Sequence, residues 1–313
     1  MYDIIIIGGG PAAVSAGVYA ARKKMKSLLI TDTFGGQSVV SDSIENWIGE
    51  EAISGFDLSQ RLEKHLRAQD GIEINTGELV EKVLEDGGNF KIKTNKSEYC
   101  SKTILLTSGG RRRRLGVPGE EKFDGKGVAF CSTCDAPLFR GREVAVVGGG
   151  NSGLEAVVDL FPYATKITLL NNTDKLKGDP STIEEVEKNE KVEIINNAKV
   201  KEVMGDTLVE GLVYEDEEGG EKKLDLQGVF VEIGSVPNSE MVNGLVELNK
   251  YKEIVVDHRT YETSKKGIFA AGDVTDEIYK QNNIAAGDAI TALLSAYNYI
   301  LNLDKKSPAH DTE

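Results

Sequence analysis

An α/β chain built from two doubly wound units is the fold class that the sequence predicts. Three observations predict it. Two short apolar runs, Tyr2 to Ile7 and Glu143 to Val147, have the length and continuity of buried parallel strands. Each feeds a glycine-rich turn, Gly8-Gly9-Gly10-Pro11-Ala12-Ala13 and Gly148-Gly149-Gly150-Asn151-Ser152-Gly153. Each turn opens a helical stretch, Val14 to Lys24 and Leu154 to Phe161, the second stopped by Pro162.

A G-x-G-x-x-(G/A) turn between strand and helix is a dinucleotide-binding pattern with a mechanism. Gly8 permits the tight turn, Gly10 lets a pyrophosphate approach the backbone, and Ala13 is small enough for close helix–strand packing. The helix N-terminus turns its positive dipole end toward the phosphates. The next strand, Ser27 to Thr31, ends at Asp32, where the motif needs a carboxylate for the ribose hydroxyls. The second copy supplies Gly148, Gly150 and Gly153. Its following strand, Lys166 to Leu170, runs into Asn171-Asn172-Thr173-Asp174, so the expected carboxylate is missing. Two such motifs imply two dinucleotides, or one dinucleotide and a duplicated fold.

The remaining elements fill in around these units. Asp57 to Gln69 reads as a helix with an apolar face of Leu58, Leu62 and Leu66. Strands are expected at Ile72 to Asn75, Glu78 to Leu84, Phe90 to Thr94 and Thr103 to Thr107, then at Val192 to Ile195, Val200 to Val203, Leu208 to Tyr214 and Val229 to Ile233. A short strand, Gly267 to Ala271, ends in Gly272-Asp273, and an Ala-rich helix from Ile284 to Leu301 follows. Phe34-Gly35-Gly36-Gln37 and Ile44-Glu45-Asn46-Trp47 lie in loop-like sequence. Arg111 to Arg114 reads either as a solvated or ion-paired face or as a dock for an acidic partner.

Composition bounds the function. The chain has 313 residues, enough for two domains, and its net charge of −14 opposes nucleic-acid binding. The N-terminus enters a strand at once, with no basic region or cleavage site of an export signal. No apolar run approaches the length of a membrane span, so no membrane association is expected and the cytoplasm is the expected compartment. There a lone Cys-x-x-Cys, Cys131-Ser132-Thr133-Cys134, favours redox chemistry over structure. Zinc wants four N/S ligands, and Cys100, His65, His258 and His310 stand at no metal-ligand spacing, so no metal is expected. Cys100 reads as an inert buried thiol. Asp135, one residue past the pair, is placed to shuttle a proton for the departing thiol.

Two glycine motifs, a Cys-x-x-Cys-Asp just ahead of the second, and the C-terminal Ala270-Ala271-Gly272-Asp273 resemble the low-molecular-weight thioredoxin reductases over essentially the whole chain. Asp135-Ala136-Pro137-Leu138-Phe139 and Gly148 to Asp159 are also similar to the flavoprotein component of alkyl hydroperoxide reductases. That relative carries extra N-terminal thioredoxin-like domains, so a chain starting at its first strand looks like the free-standing form. The resemblance implies two Rossmann-like domains, the second inserted into the first. Residues 1–116 and 245–313 would form a discontinuous FAD domain, and 117–244 a pyridine-nucleotide-type domain carrying the cysteines. FAD would sit on Gly8, Gly10, Ala13 and Asp32, with Gln37 and Asn46 near it, Gly272 and Asp273 at the ribityl or pyrophosphate region and Gln281 close to the ring. Ala13 and Lys280 replace the glycine and arginine commoner in the family.

The same resemblance implies that Cys134 faces the flavin and Cys131 exchanges with the disulfide of a thioredoxin- or glutaredoxin-like protein, in a homodimer. It implies an inserted domain that rotates about hinges near Val117-Pro118-Gly119 and Val236-Pro237-Asn238. Gly148, Gly150, Gly153 and Asn171 would hold the nicotinamide dinucleotide. Asn171 to Lys177 contains no arginine for a 2′-phosphate, which favours NADH over NADPH. The alternatives are a ferredoxin or deazaflavin donor, a flavin-dependent dithiol oxidase and, outside enzymes, a zinc- and dinucleotide-binding module.

Overall fold

The computed structural model describes residues 1–41 and 43–306; His310 lies outside them. The chain forms two compact units. The first comprises Met1–Ser41, Trp47–Arg111 and the chain from Val236 onward; the second comprises Arg112–Ser235 with a short piece ending at Asn46.

The first unit is organised by a parallel sheet in the order Ile72–Asn75, Ser27–Ile30, Tyr2–Ile7, Glu98–Leu106 and Ile268–Ala270, extended by the antiparallel strands Glu262–Thr263 and Val256–Asp257. Tyr2–Ile7 sits between two neighbours, and Ile4, Ile5 and Ile6 are fully buried. A strand covered on both faces needs apolar side chains at every position, which is why this run does not alternate. Glu98–Leu106 also closes an antiparallel meander with Val80–Asp86 and Asn89–Thr94, so it begins well before the Thr103 expected from its apolar end.

Two helices pack together over this sheet. Pro11–Arg22 buries Ala12, Ala13, Ala16 and Ala20, and Asn282–Lys306 buries Ala285, Ala289, Ala292 and Ala296. Small residues recurring every three or four positions give each helix a flat face on which the other can lie close. The stretch Asn282–Leu303 is long and apolar enough to cross a membrane by length and composition, contrary to the sequence expectation. Its alanine face belongs to the core of this unit. Gly55–Arg67 is the third helix, capped by the Ser54 hydroxyl, which accepts from the Asp57 N–H at 3.0 Å.

The second unit repeats the plan. A parallel sheet runs Val192–Ile195, Lys166–Leu170, Glu143–Val147, Gly228–Val231 and Val128–Ala129, beside an antiparallel meander of Lys199–Gly205, Val209–Glu215 and Glu221–Asp225. A helix without a sequence prediction, Pro180–Lys188, starts at Asp179, whose carboxylate accepts from the Ser181 N–H, with Pro180 in the first turn. Architecture and duplication together make this a mixed α/β fold of two Rossmann-like units.

The chain leaves the first unit after Arg111 and re-enters it at Val236. The crossing strands, Gly110–Arg112 and Ser235–Pro237, pair with each other. Val117-Pro118-Gly119 lies within the second unit, past the crossing at Arg111. The Val203 N–H donates to the Pro118 carbonyl at 2.9 Å, and a Cβ on Gly119 would lie 1.9 Å from the Val203 carbonyl oxygen.

Leu66 is fully buried between Gly17 and the sheet. Leu66→Ala should destabilise the first unit by about 2–5 kcal/mol, read as a lower urea midpoint with an unchanged slope.

Candidate functional site

The first unit brings the strand ends together. Because Tyr2–Ile7, Ser27–Ile30 and Ile268–Ala270 belong to one parallel sheet, Gly8, Asp32 and Gly272 all follow carboxyl ends at the same edge. Gly8 has φ +135°, and a Cβ there would stand 2.2 Å from the Thr107 carbonyl oxygen. A Cβ on Gly9 would meet the Thr33 carbonyl at 2.1 Å. Gly10 differs: nothing lies within 4 Å of where its Cβ would be. It caps Pro11–Arg22 with no side-chain hydrogen bond, leaving the first helical N–H groups open. Gly35 and Gly36, both at positive φ, fold back over this turn, with the Gly35 N–H donating to the Gly9 carbonyl at 2.9 Å. Ala13 is fully buried beneath it, so the methyl group fits where the family has glycine.

Gln37 and Asp273 meet here, the Gln37 Nε2 donating to Asp273 Oδ2 at 3.2 Å. Gly272 has φ +75°, and a Cβ on it would come within 3.1 Å of Ala285 Cβ and 3.5 Å of Ala12 Cβ. The C-terminal Gly-Asp turn is thereby pressed against the first glycine motif. Gln281 precedes the last helix, its carbonyl accepting from the Ala285 N–H. Asn46 is grouped with the second unit. An open, uncapped helix N-terminus walled by glycines, with an exposed carboxylate at Asp32, fits the pyrophosphate and ribose of FAD.

The second unit holds a matching cradle. Gly148 has φ +133° and Gly150 again has nothing within 4 Å of its missing Cβ. Gly153 must be glycine, because a Cβ would lie 1.7 Å from the Gly148 carbonyl oxygen. Matching hydrogen bonds set the register between the halves. Gly8 donates to Ile30 and Gly148 to Leu170; Thr31 donates to Asn75 and Asn171 to Ile195; Glu78 donates to Thr31 and Ala198 to Asn171. Asn171 therefore corresponds to Thr31, and Asn172 to Asp32. Asn171 is buried under Gly149, its Nδ2 donating to the Thr173 carbonyl and to Asn196 Oδ1, both at 2.9 Å. Asn172 is exposed. Lys177 donates its N–H to the Gly149 carbonyl at 2.8 Å, as Gly35 does to Gly9, which sets an exposed lysine beside this cradle.

Cys131 and Cys134 form a disulfide with a Cα–Cα distance of 5.4 Å. Cys131 precedes the short helix Ser132–Asp135, and the Asp135 N–H donates to the Cys131 carbonyl at 3.0 Å. Two carboxylates that the sequence reading did not single out grip the residues between the cysteines. Asp159 accepts from the Ser132 hydroxyl at 2.8 Å and the Thr133 hydroxyl at 3.2 Å. Glu232, 7% exposed, has the Arg112 guanidinium at 4.0 Å and the Ser132 backbone N–H among its electrostatic neighbours. Burial lifts the Glu232 pKa to about 7; Arg112 and the Ser132 N–H act against the rise, and Asp135 and Asp159 add to it. Its sequence signal was a lone carboxylate closing the apolar run Val229-Phe230-Val231.

The arginine run serves the protein's own acids. Arg111 pairs with Glu240 at 2.6 Å and donates to Asn238 at 2.7 Å, Arg112 faces Glu232, and Arg114 reaches Asp124 at 2.5 Å. Cys100 is exposed, not buried, because it lies in the part of Glu98–Leu106 that projects beyond the parallel sheet.

Two cradles of this kind and a redox-active cysteine pair define a flavoprotein disulfide oxidoreductase. Residues 2–289 match the family model described as pyridine nucleotide-disulphide oxidoreductase, and the chain belongs to that family. Within it the chain is a thioredoxin-reductase-like flavoprotein of low molecular weight, related to the flavoprotein component of alkyl hydroperoxide reductase. It is 43% identical over 302 residues to a NADH dehydrogenase of Bacillus subtilis, covering 96% of this chain and 59% of that one. It is 42% identical over 315 residues to an alkyl hydroperoxide reductase component of Pseudomonas aeruginosa, with 96% and 58% covered. The chain thus spans under two thirds of the length of these curated relatives. Among solved structures, the thioredoxin reductase of Streptococcus pyogenes superposes with a TM-score of 0.90 at 33% identity, with 96% of this chain and 99% of that one covered. That of Giardia duodenalis superposes at 0.89 with 29% identity, over 96% and 99%.

Gly10→Ala separates fold from cofactor. The new methyl meets no protein atom within 4 Å and φ stays ordinary at −79°, so the protein should fold unchanged. It should weaken FAD binding by at least about tenfold, because the methyl fills the phosphate space. Flavin absorbance per mole of purified protein, read against its circular dichroism, checks both halves.

Proposed function

We propose that this protein moves an electron pair from a reduced nicotinamide nucleotide through FAD to the Cys131–Cys134 disulfide, and on to the disulfide of a thioredoxin- or glutaredoxin-like protein. The observation that carries the reading is the closed Cys131–Cys134 pair inside a unit that also holds the second cradle. FAD, when bound, accepts two electrons from a hydride donor and passes them to a disulfide. On the chain's side, Gly8, Gly10 and Ala13 shape the phosphate seat, Asp32 takes the ribose hydroxyls, and Gln37, Asp273 and Gln281 line the remaining length. Cys134 is the thiol that meets the flavin. Cys131 is the interchange thiol, which attacks one sulfur of the partner disulfide and expels the other as a thiol. Asp135 relays a proton to that leaving sulfur and is a carboxylate between transfers. The reducing cytoplasm suits a dithiol that must be re-formed every cycle.

The donor follows from the second cradle. Gly148, Gly150 and Gly153 seat the pyrophosphate, and Asn172, in the register of Asp32, faces the ribose in place of the buried Asn171. An amide there accepts a hydrogen bond from a ribose hydroxyl but binds it less strongly than a carboxylate would. Lys177 is the nearby cation, without the bidentate fork of an arginine. NADH is therefore preferred to NADPH, with weak affinity; the name of the Bacillus subtilis relative agrees with that choice. A homodimer rests on the family resemblance alone.

Anaerobic mixing tests the donor. NADH should bleach the flavin at least about tenfold faster than NADPH at equal concentration, a difference of about 1.4 kcal/mol. Faster bleaching by NADPH reverses the preference, and bleaching by neither points to a ferredoxin or deazaflavin donor. The cysteines are tested separately. Cys134→Ser should leave flavin reduction by the donor intact and stop electron flow to any disulfide. Cys131→Ser should keep a thiol that reacts with the flavin but abolish thioredoxin turnover. Normal turnover in either variant refutes the assignment, and peroxide release in air without thioredoxin turnover would make the protein a dithiol oxidase.

A further inference from the structure

The duplicated halves differ at one position beside the cysteines. Thr107 and Glu232 occupy equivalent places: the Thr107 N–H donates to the Ile7 carbonyl and the Glu232 N–H to the Val147 carbonyl, both at 2.9 Å. The carbonyls of the same two residues close over Gly8 and Gly148, each 2.2 Å from the missing Cβ. In the first unit the side chain is a hydroxyl that satisfies itself on the Ile7 carbonyl at 2.9 Å. In the second it is a buried carboxylate whose electrostatic neighbours include the N–H of Ser132, between the two cysteines.

We propose that Glu232 is a positioning residue of the redox pair, taking up a proton when Cys131–Cys134 is reduced and releasing it when the disulfide re-forms. The proposal deepens the reading above, since it rests on the pair cycling between disulfide and dithiol.

The charges around Glu232 argue for it. The groups facing it are Arg112 on the crossing strand, Asp135 and the Ser132 N–H on the short helix, and Asp159 on the helix Asn151–Leu160. With Glu232 itself, that is one cation among three carboxylates. The oxidised pair adds no charge. Reduction followed by ionisation of one thiol adds a negative charge beside Ser132, and neighbouring like charges do not all stay ionised. Glu232 is the most buried of the acids, so its proton affinity rises furthest. The balance is complete: the disulfide, the Glu232 carboxylate, two electrons and two protons become one thiol, one thiolate and the Glu232 acid. The electrons come from flavin in the enzyme and from a dithiol reductant in the test. The Glu232 pKa of about 7 in the oxidised state places this exchange near neutral pH.

The FAD-loaded protein is equilibrated with dithiothreitol redox buffers between about pH 6 and 8.5, a span that brackets this pKa. It is then alkylated and weighed. Thiols on Cys131 and Cys134 add to the mass increment of the exposed Cys100. In the unaltered protein the midpoint potential should fall more steeply with pH above 7 than below, because there Glu232 gains a proton only on reduction. Glu232→Gln, which keeps shape and hydrogen bonding, should lose the steepening. Arg112→Met removes the cation that opposes protonation, so the steepening should move to higher pH, and this variant serves if the first does not fold. A Gln variant that keeps the steepening, or a Met variant that leaves it in place, overturns the proposal while the disulfide cycle stands. If Cys131 and Cys134 never become alkylated under excess reductant, the disulfide cycle and the proposal both fall.

Discussion

The parallel ladder that joins Ile268, Phe269 and Ala270 to Ile104, Leu105 and Leu106 is the contact on which the first unit depends. It recruits the far end of the chain into a sheet begun by the first residues. Parallel pairing puts every carboxyl end at one edge, so Gly272 and Asp273 arrive beside Gly8 and Gly10. The absence of a side chain at Gly272 then lets Ala285 and Ala12 close on it. The cost is entropic, since the whole second unit must fit within the loop that this ladder closes. Loop-closure cost grows only logarithmically with length, and the apolar surface buried by Ile104, Leu105, Ile268, Phe269 and the last helix offsets it.

Duplication explains why two such different tasks share one geometry. Both halves hold a glycine turn at positive φ, an uncapped helix and a returning loop that donates an N–H to the middle glycine. At the cradles the halves diverge in their side chains. Ala13 stands where Gly153 has no room for a methyl, Asp32 where Asn172 stands, and Thr107 where Glu232 stands. Each exchange changes the polarity or clearance of a seat while the matching backbone hydrogen bonds are kept.

The protein is strongly acidic, and three arginines of its most basic stretch pair with its own carboxylates. Arg111, Arg112 and Arg114 are committed to Glu240, Glu232 and Asp124. Exposed pairs of this kind contribute little stability. The Arg112 pair is different because its partner is buried, and breaking it would leave a poorly solvated carboxylate. The run thus marks the crossing between units and ties one of its strands to the floor of the cysteine segment.

Local sequence determined a good deal. The two strand–turn–helix motifs, the redox pair and Gly272-Asp273 could be read from residue type and spacing, because a glycine at positive φ, a tight dithiol and an apolar strand are properties of a few adjacent residues. Where the reading failed, the deciding partner was distant. Cys100 looked like a buried thiol until the sheet showed its strand projecting past the parallel core. Asn171 closes its strand in the sequence, and pairing with Ile195 and Ala198 sets it, buried, under Gly149. Nothing in Val117-Pro118-Gly119 itself shows that Val203 packs onto it. Glu232 drew no notice as one acid after an apolar run. Only the tertiary structure set its carboxylate under Ser132 and beside Arg112, because burial and electrostatic environment belong to the folded neighbourhood and not to the segment.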